Sequence, residues 1–505
     1  LDLGCSIEDK NSVGSTCLLN ACINGKLETV KWLIEHGSDI HYYANENTSA
    51  IQLACESGNL ELVKYLLDIG LVLDNECMFF ASWGGSIEVV EFLYSQNIPI
   101  DEENSIGITP IMNTIKVPRE NMDLIKWFYN KGVKFNNVCK NGLSPFELAF
   151  INDREDVIRW LFKKQPLLFN RENTDKQNSV THLAAIGGSV AIMEYLDNIN
   201  MLEIEAKNNL GYTPLFSASR ISNMECVKWL LDHGASVNYK SDDGMTPLLY
   251  ACAFGKLEVA KELYNEGADL YARSNEGYSA IIYAAMCDNL DLIIWLHEQG
   301  LQLDDKTNEY ITPIHQASIS GQLHIIKWLC DNGISIRHSI SNGGGTCLIY
   351  ATSNNRIDIV KWLLEEGADI EQTNDYNNTA LTMACKYEGN LEPIEYLYSK
   401  GANIHILDNN NSSALHSAAK IDLETVKWLV ERDIEIDAKN NKGNTPLLLA
   451  AKKNNIEIVK YLIDNGASIN ETNNNGDTIF TISKYPEEFM EEMKLLERSK
   501  KLKKA

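Results

Sequence analysis

The feature that most constrains the fold is a short apolar segment that recurs about every 33 residues. Its first copy is Val30-Lys31-Trp32-Leu33. The later copies begin at Val63, Val90, Ile125, Ile158, Met193, Val227, Ala260, Ile293, Ile326, Val360, Ile394, Val426 and Val459. A fixed period of this length indicates stacked repeats, because one repeat cannot bury its apolar face alone. The chain is therefore predicted to be a solenoid of about fourteen repeats.

Each repeat has the same internal order. A Thr-Pro or Ser-Pro pair opens a first helix, since the hydroxyl can cap backbone N–H groups and Pro fits the first helical position. The clearest pairs are Thr109-Pro110, Ser144-Pro145, Thr213-Pro214, Thr246-Pro247, Thr312-Pro313 and Thr445-Pro446. Small residues such as Ala251-Cys252 follow, and then a turn. The recurring segment forms a second helix that ends at a Gly such as Gly234. A turn such as Asp243-Gly244 leads to the next pair.

These residues resemble the consensus of the ankyrin-repeat family. The resemblance is carried by Thr213-Pro214-Leu215, by Ser413-Ala414-Leu415-His416-Ser417-Ala418-Ala419 and by Gly367-Ala368-Asp369-Ile370. It implies an all-α fold, an ankyrin-type α-solenoid of about 14 stacked helix pairs with β-hairpin fingers. The Trp-rich second helices and Asn-rich turns are similar to those of long arrays from unicellular eukaryotes and giant viruses.

The repeats divide the chain into an array over residues 1–476 and a C-terminal capping repeat with a basic tail over residues 477–505. Residues 1–7 align with the end of a second helix, so they are interpreted as the remnant of a preceding repeat. The chain is therefore expected to be a piece of a longer array. Residues 488–496 are predicted to form a charged second helix of the cap.

Three repeats depart from the pattern. The interval between Val63 and Val90 is too short for a full finger. The fourth repeat has extra residues around 117–119, and the sixth has residues 198–200 where others have a capping Gly. Such repeats are candidate places for local bending or opening.

Composition limits the partners. The net charge of −25 disfavours nucleic acid and anionic membranes, because like charges repel. No apolar run approaches the ~18–20 residues of a membrane span. The 12 cysteines form no CxxC pair, which favours a reducing compartment. Four of them follow an Ala in the same position of the repeat and are predicted to be buried thiols: Cys22, Cys55, Cys252 and Cys385. We expect a cytoplasmic monomer, with a secreted or surface-exposed location left open because the chain begins at Leu1.

No catalytic motif is present: the chain lacks GxxxxGK[ST], GxSxG, HExxH and an EF-hand loop. No catalytic residue, cofactor or metal is therefore predicted. His182, His315 and His416 occupy the position where the family's histidine typically bonds to neighbouring backbone. Eight tryptophans in the second helices are predicted to pack between successive repeats: Trp32, Trp127, Trp160, Trp229, Trp295, Trp328, Trp362 and Trp428.

The resemblance also implies where a partner binds, because in ankyrin arrays the finger tips and the exposed edge of the first helix line a concave groove. The candidate protein-binding residues at these positions are Trp83, Ile151, Ile186, Tyr212, Met245, Phe254, Tyr278, Met286, Ile311, Ile319, Lys386, Lys420 and Lys452. They are apolar in the middle of the array and basic toward its end. The alternatives are that the apolar residues pack on neighbouring hairpins and that the lysines balance nearby acids.

The leading functional hypothesis is a non-catalytic scaffold or adaptor that binds proteins in the concave groove. Three alternatives stay open. The chain could be a secreted or surface-exposed factor that acts on host proteins. It could be the regulatory array of a larger multidomain protein, such as a kinase or a ubiquitin ligase. It could also be a structural spacer without a specific partner.

Overall fold

The computed structural model describes residues 6–44, 47–117, 121–140, 142–169, 178–337, 339–482 and 491. The chain comprises two compact units, residues 1–242 and 243–505. Within each unit, every first helix packs against the second helix of its own repeat and against the first helix of the next.

The first unit contains seven helix pairs among its described residues. They are α1 (Cys17–Ile23), α2 (Leu27–Glu35), α3 (Ala50–Ser57), α4 (Leu60–Asp68), α5 (Glu76–Gly84), α6 (Ile87–Ser95), α7 (Pro110–Lys116), α8 (Met122–Asn130), α9 (Pro145–Ile151), α10 (Glu155–Lys164), α11 (Val180–Gly187), α12 (Val190–Asn198), α13 (Pro214–Ile221) and α14 (Met224–Asp232). A 3-10 turn, Pro166–Phe169, follows α10.

The second unit continues the pattern with seven pairs and a last short helix, again among the described residues. They are α15 (Pro247–Ala253), α16 (Leu257–Asn265), α17 (Ala280–Ala284), α18 (Leu290–Glu298), α19 (Pro313–Ser320), α20 (Leu323–Asp331), α21 (Cys347–Ser353), α22 (Ile357–Glu365), α23 (Ala380–Ala384), α24 (Leu391–Ser399), α25 (Ala414–Ala418), α26 (Leu423–Val430), α27 (Pro446–Lys452), α28 (Ile456–Asp464) and α29 (Ile479–Ile482). The residues predicted as a charged helix, 488–496, lie almost entirely outside the described part of the chain.

All fourteen recurring segments lie in second helices, which confirms the prediction. In α22 the side chains of Ile359, Val360 and Leu363 are buried, as their helical spacing requires, and Trp362 is half-buried beside them. Burying each such aliphatic side chain stabilises the stack by roughly 1.5–3 kcal/mol. The second helices therefore supply one continuous row of the core within each unit.

The first helices begin where the Thr-Pro and Ser-Pro pairs predict. Thr246 Oγ1 accepts the N–H of Leu249 at 3.2 Å, with Pro247 at the first helical position. Ser144 caps α9 in the same way, and the Glu147 carboxylate accepts the N–H of Ser144 at 2.9 Å. Thr109 and Thr213 are exceptions, because their hydroxyls make no capping bond although a Pro follows each of them. Local sequence therefore sets where most of the first helices start.

The second helices other than α10 are followed by a residue with left-handed backbone. Gly234 and Gly466 adopt φ of 90° and 102° there, a conformation that glycine tolerates best. In the sixth repeat Asn200 adopts φ of 55°, and the N–H of Met201 still donates to the Leu196 carbonyl at 2.9 Å. The missing Gly thus leaves the helix end capped, because Asn also tolerates this conformation.

The short repeat lacks a finger, as its spacing predicts. Residues 69–75 alone separate α4 from α5, whereas residues 266–279 separate α16 from α17. Asp74 caps α5 directly, because its Oδ1 accepts the N–H of Cys77 at 3.0 Å.

The irregular fourth repeat is held by Arg154, which lies in the next repeat and is buried. Its Nη1 donates to the carbonyl oxygens of Thr114, Ile115 and Val117 at 3.4, 3.2 and 3.3 Å. Its Nη2 donates to Asn121 Oδ1 at 2.9 Å and forms an ion pair with Asp156 at 2.9 Å. The guanidinium therefore satisfies the carbonyls at the end of α7, which helix geometry leaves without partners.

The expected β-hairpin fingers are tight turns in the part of the chain that the structure describes. That part contains no strand, only an isolated bridge between Ile340 and Thr346. Asn side chains replace a strand ladder: Asn440 Oδ1 accepts the N–H groups of Lys442 and Asn444 at 3.0 and 3.1 Å. In the second unit, neighbouring tips are joined as well, because Asn474 Nδ2 donates to the Asn441 carbonyl at 2.9 Å. The Asn-rich turns are thus explained by local hydrogen bonding.

Candidate protein-binding surface

The most exposed apolar side chains of the predicted site lie on what we call the first-helix edge, the last turn of each first helix and the two residues after it. Trp83 is 44% exposed in the first unit, and Phe254 and Met286 are 44% and 39% exposed in the second. The other face of each first helix is buried against its neighbours, because small residues such as Ala251 allow close approach. An exposed row of large apolar groups is typical of a binding surface.

The other predicted residues differ in what they offer a partner. Lys452 is exposed, whereas Met245 and Ile311 are only 5% and 9% exposed. The half-buried ones are Ile151, Ile186, Tyr212, Tyr278, Ile319, Lys386 and Lys420. Ile311 lies at the end of its finger turn, where its N–H donates to Thr307 Oγ1 at 3.1 Å. Met245 and Ile311 therefore leave a partner almost no side-chain surface.

Tyr212 and Tyr278 pack partly within their own repeats. The Tyr212 ring stacks on Phe216 at 4.8 Å between centroids, and the Tyr278 ring stacks on Tyr283 at 5.1 Å. Burial raises the pKa of Tyr278, in agreement with that packing. A large part of each of these two side chains is therefore used in packing within the protein, as the alternative interpretation expected, and only the remainder is available to a partner.

Trp83 lies in an open pocket of about 370 Å³ in the first unit. Phe80 and Trp83 of α5 form one wall, and Ile106 from the following finger, which is highly exposed, forms another. Glu76 lies at the margin of the pocket, where burial and the neighbouring Asp74 raise its pKa. The pocket can accept an apolar side chain, because aromatic walls and exposed apolar groups converge there.

The three consensus histidines join neighbouring repeats, which confirms the prediction for them. His182 Nε2 lies 2.8 Å from the Tyr212 carbonyl oxygen, and His416 Nε2 lies 3.0 Å from that of Asn444. His315 Nε2 makes the same contact with Ser339 at 2.9 Å. In each ring Nδ1 accepts a backbone N–H from the helix start, so Nε2 carries the proton and donates it. Both ring nitrogens of each histidine therefore form hydrogen bonds within the fold, and the three rings have a structural role.

Lowering the pH from about 7.5 to about 5 is expected to destabilise the second unit through His315 and His416. Burial lowers the pKa of both rings, which their carbonyl contacts offset only in part. Since the unfolded chain then binds more protons below pH ~6.5, stability falls as the pH drops through that value. Each unit of pKa difference contributes about 1.4 kcal/mol. Urea midpoints measured across this range test the prediction.

The matched control for the histidines is His405→Gln, because His405 is exposed in the same unit. The double variant His315→Gln and His416→Gln should flatten the pH dependence, whereas the control should keep it. Carboxylates titrate mainly below this window, near pH ~4. Equal pH dependence in the wild type and the double variant would contradict the prediction.

The second-helix tryptophans pack between successive repeats, with partners that the sequence did not identify. Trp127 meets the Tyr94 ring edge-on at 5.5 Å, and Trp428 meets Tyr398 at 5.2 Å in the same geometry. Both indoles are buried, whereas Trp32 in the first helix pair is 46% exposed. The row is therefore a packing element rather than a ligand-stacking ladder for most of its members.

The cysteines that follow Ala are buried, as predicted. Cys22, Cys55, Cys252 and Cys385 have no exposed surface. Burial raises the pKa of Cys385 to about 12, so this thiol stays protonated at neutral pH. These residues act as small core side chains.

Two classes of site do not occur in the described residues. No group of three or more His, Cys, Asp or Glu side chains there could hold a metal ion. No helix in the same part of the chain combines the length and the apolar character that crossing a membrane requires.

Comparison with known families assigns the fold. The model described as ankyrin repeats, three copies, matches residues 1–76, 78–168, 165–241, 181–274, 222–307, 281–374, 337–408 and 381–473. The chain belongs to the ankyrin-repeat family. Ankyrin repeats generally mediate binding between proteins, and arrays of them are typically non-catalytic.

Individual relatives are similar over limited stretches. An ankyrin repeat protein of Acanthamoeba polyphaga mimivirus is 30% identical over 118 residues, which is 23% of this chain and 11% of the viral protein. Alpha-latrocrustotoxin of Latrodectus tredecimguttatus is 27% identical over 297 residues, 47% of this chain and 20% of the toxin. An ankyrin repeat, SAM and basic leucine zipper domain-containing protein of Notamacropus eugenii is 35% identical over 69 residues, 14% of each chain. The matches thus span at most a fifth of these relatives.

Proposed function

We propose that this ankyrin-repeat chain is a non-catalytic scaffold or adaptor that binds protein partners on the first-helix edge and the fingers, the concave face of ankyrin arrays. The observation that carries the proposal is the exposure of Phe254 and Met286 in adjacent repeats of one unit. Large apolar and aromatic side chains anchor protein interfaces. A structural spacer without a partner has no need to expose such side chains on the first-helix edge.

The same proposal includes a cytoplasmic, monomeric protein. The buried thiols of Cys22 and Cys385 support a reducing compartment, where cysteines serve as core residues. The net charge of −25 supports solubility and disfavours nucleic acid as the partner.

The test is quantitative affinity purification with Phe254→Asp and Met286→Asp combined. Charges at these positions should remove a partner captured by the wild type by at least about tenfold, because an unpaired buried charge weakens an interface strongly. The matched control is Tyr264→Asp with Ile456→Asp, since both residues are comparably exposed on second helices of the same unit. Thermal unfolding should be similar for both variants.

Retention of every wild-type partner by the Phe254 and Met286 variant would contradict this placement of the binding surface. Loss of the same partners in the control as well would assign binding to the second-helix side. Direct crosslinking of the captured partner to the first-helix edge would identify the contact independently.

A further inference from the structure

Four lysines form a compact group on the first-helix edge of the last complete repeats, here called the lysine strip. Lys386, Lys420 and Lys452 occupy the same position in three successive repeats, after α23, after α25 and at the end of α27. Lys453 directly follows Lys452. Stacking of the repeats places equivalent positions about one repeat apart, roughly 10 Å.

None of these four lysines forms an ion pair in the part of the chain that the structure describes. Some lysines elsewhere in this unit do: Lys261 with Glu258 at 3.0 Å, and Lys427 with Glu424 at 2.7 Å. Other lysines among the described residues of this unit, such as Lys327 and Lys361, also lack an ion pair, so what sets the strip apart is the recurrence of unpaired lysines at one position of three successive repeats. The alternative that the strip balances nearby acids therefore has little support.

The carboxylate that acts on the strip is Asp408, and it has another role. Its Oδ1 accepts the N–H groups of Asn410 and Ser412 at 2.9 and 2.8 Å, which shapes the finger turn. Glu388 is exposed near Lys386 in sequence and forms no ion pair with the strip. The positive charges of the strip are therefore not neutralised by an ion pair with a carboxylate in the described part of the chain.

Lys420 lies close enough to Lys386 and Lys453 for their charges to act on it. Burial is the main cause that lowers the pKa of Lys420, the charge of Lys386 lowers it further, Asp408 acts in the opposite direction, and Lys453 adds the smallest lowering. A bound anion would relieve this repulsion. The group is therefore arranged to receive negative charge.

The neighbours of the lysines distinguish between kinds of anion. Tyr387 and Ile421 are 44% and 38% exposed directly after Lys386 and Lys420. Free phosphate cannot use such apolar groups, whereas a polypeptide can cover them with its own side chains. The net charge of −25 repels a long polyanion such as nucleic acid, or an anionic membrane, more than a short acidic segment that carries few charges.

We infer that the lysine strip binds an extended acidic segment of a protein partner, with its acidic side chains three residues apart and apolar side chains between them. A chain in the extended polyproline II conformation advances about 3.1 Å per residue with three residues per turn, so side chains three residues apart lie on the same side and match one repeat. The acidic groups then meet Lys386, Lys420 and the Lys452–Lys453 pair in turn, while the apolar groups cover Tyr387 and Ile421. This inference rests on the proposed function and specifies one class of partner.

Fluorescence anisotropy with two labelled peptides tests the inference on the full chain. The first repeats Asp-Leu-Ser four times, and the second has the same composition with all its Asp residues in one block. The first should bind several-fold more tightly, because only its spacing matches the repeats. Its affinity should fall as salt rises, since exposed charges are screened. Equal affinity of the two peptides would contradict the proposed match between acidic side chains three residues apart and lysines one repeat apart.

Variants locate the site. Lys386→Gln, Lys420→Gln and Lys453→Gln together should weaken the first peptide by at least about tenfold. The matched control, Lys327→Gln with Lys427→Gln and Lys460→Gln, removes the same charge from second helices of the same unit and should change affinity less than about twofold. Lys386→Gln with Lys452→Gln, which leaves half-buried Lys420 intact, is the second test if the triple variant unfolds at a lower temperature. An equal loss of peptide affinity in the control variant would contradict the assignment of the binding site to the lysine strip.

Competing ligands complete the experiment. Single-stranded DNA or inorganic polyphosphate of equal charge should bind more weakly than the first peptide, and tighter binding of either would overturn the choice of a protein segment. The result is separable from the test of Phe254 and Met286. If partners are lost with those substitutions but neither peptide binds, the lysine-strip inference alone fails. If the peptide binds but no partner depends on Phe254 and Met286, the proposed function alone fails.

Discussion

Replacing Arg154 with methionine is expected to lower the free energy of unfolding of the first unit by about 3 kcal/mol. The guanidinium donates to three carbonyls at the end of α7 and to Asn121, and its side chain is only 6% exposed. Methionine preserves much of the apolar stem but removes the donor to the Ile115 and Val117 carbonyls and to Asn121 Oδ1, whereas the Thr114 carbonyl keeps its hydrogen bond from Asn121 Nδ2. The lost hydrogen bonds, rather than the lost charge, should dominate the effect.

Urea unfolding of the full chain, with hydrogen exchange followed over residues 110–165, measures this effect. Exchange is needed because repeat arrays unfold locally as well as globally. Arg159→Met is the matched control on α10, since Arg159 is exposed and contacts Glu155 and the Tyr195 ring. Its loss should be below about 1 kcal/mol. Arg154→Lys should lie between, because an ammonium cannot reach all the carbonyls at once. Equal losses for Arg154→Met and Arg159→Met would contradict the role assigned to Arg154.

The sequence predicted the repeating parts of the fold because their causes are local. The Val360-Lys361-Trp362-Leu363 segment has helical periodicity, and Thr246-Pro247 carries its own cap. The burial of Cys385 followed from a shared position beside Ala. Each of these predictions uses residues within one or two turns, where backbone geometry and side-chain chemistry are nearly independent of the rest of the chain.

What the sequence did not predict involves contacts between repeats. Arg154 acts on carbonyls of the preceding repeat, and a backbone carbonyl has no sequence signature. Trp127 was predicted to pack, but its partner Tyr94 was not recognised because it lies in an earlier repeat. The fingers were expected to be β-hairpins, whereas Asn side chains such as Asn440 form tight turns instead.

For the candidate binding surface, the sequence predicted where residues lie on the repeat more reliably than it predicted how exposed their side chains are. The first-helix edge does present Trp83, Phe254 and Met286 to solvent. The position before Thr-Pro does not behave in the same way, because Met245 and Ile311 close the finger and are buried. Repeat alignment places a residue on an element, but exposure also depends on the fold of the adjacent loop.

Gly84→Ala is expected to destabilise the first unit by about 2 kcal/mol, although alanine is the better helix former. Gly84 is the last residue of α5, and a Cβ there would lie closer than 3.0 Å to the backbone carbonyl oxygen of Glu56 at the end of α3. Real Cβ atoms essentially never make such a contact, and a carbonyl cannot rotate away as a side chain can. Overpacking of about 3 kcal/mol therefore outweighs a gain in helix propensity of about 1 kcal/mol.

Gly187→Ala should behave in the same way, because its Cβ would meet the backbone carbonyl oxygen of Phe150. The control is Gly85→Asn. Gly85 has a φ of 80°, which Asn tolerates, and its Cβ would have no heavy atom within 4 Å, so the loss should stay below about 1 kcal/mol. Urea midpoints and hydrogen exchange over α3 and α5 separate the two outcomes. If Gly84→Ala instead stabilised the chain, helix propensity would outweigh packing at this position, and α3 and α5 would have to shift apart without loss. Close approach of the first helices through their small residues would then not be required for stability.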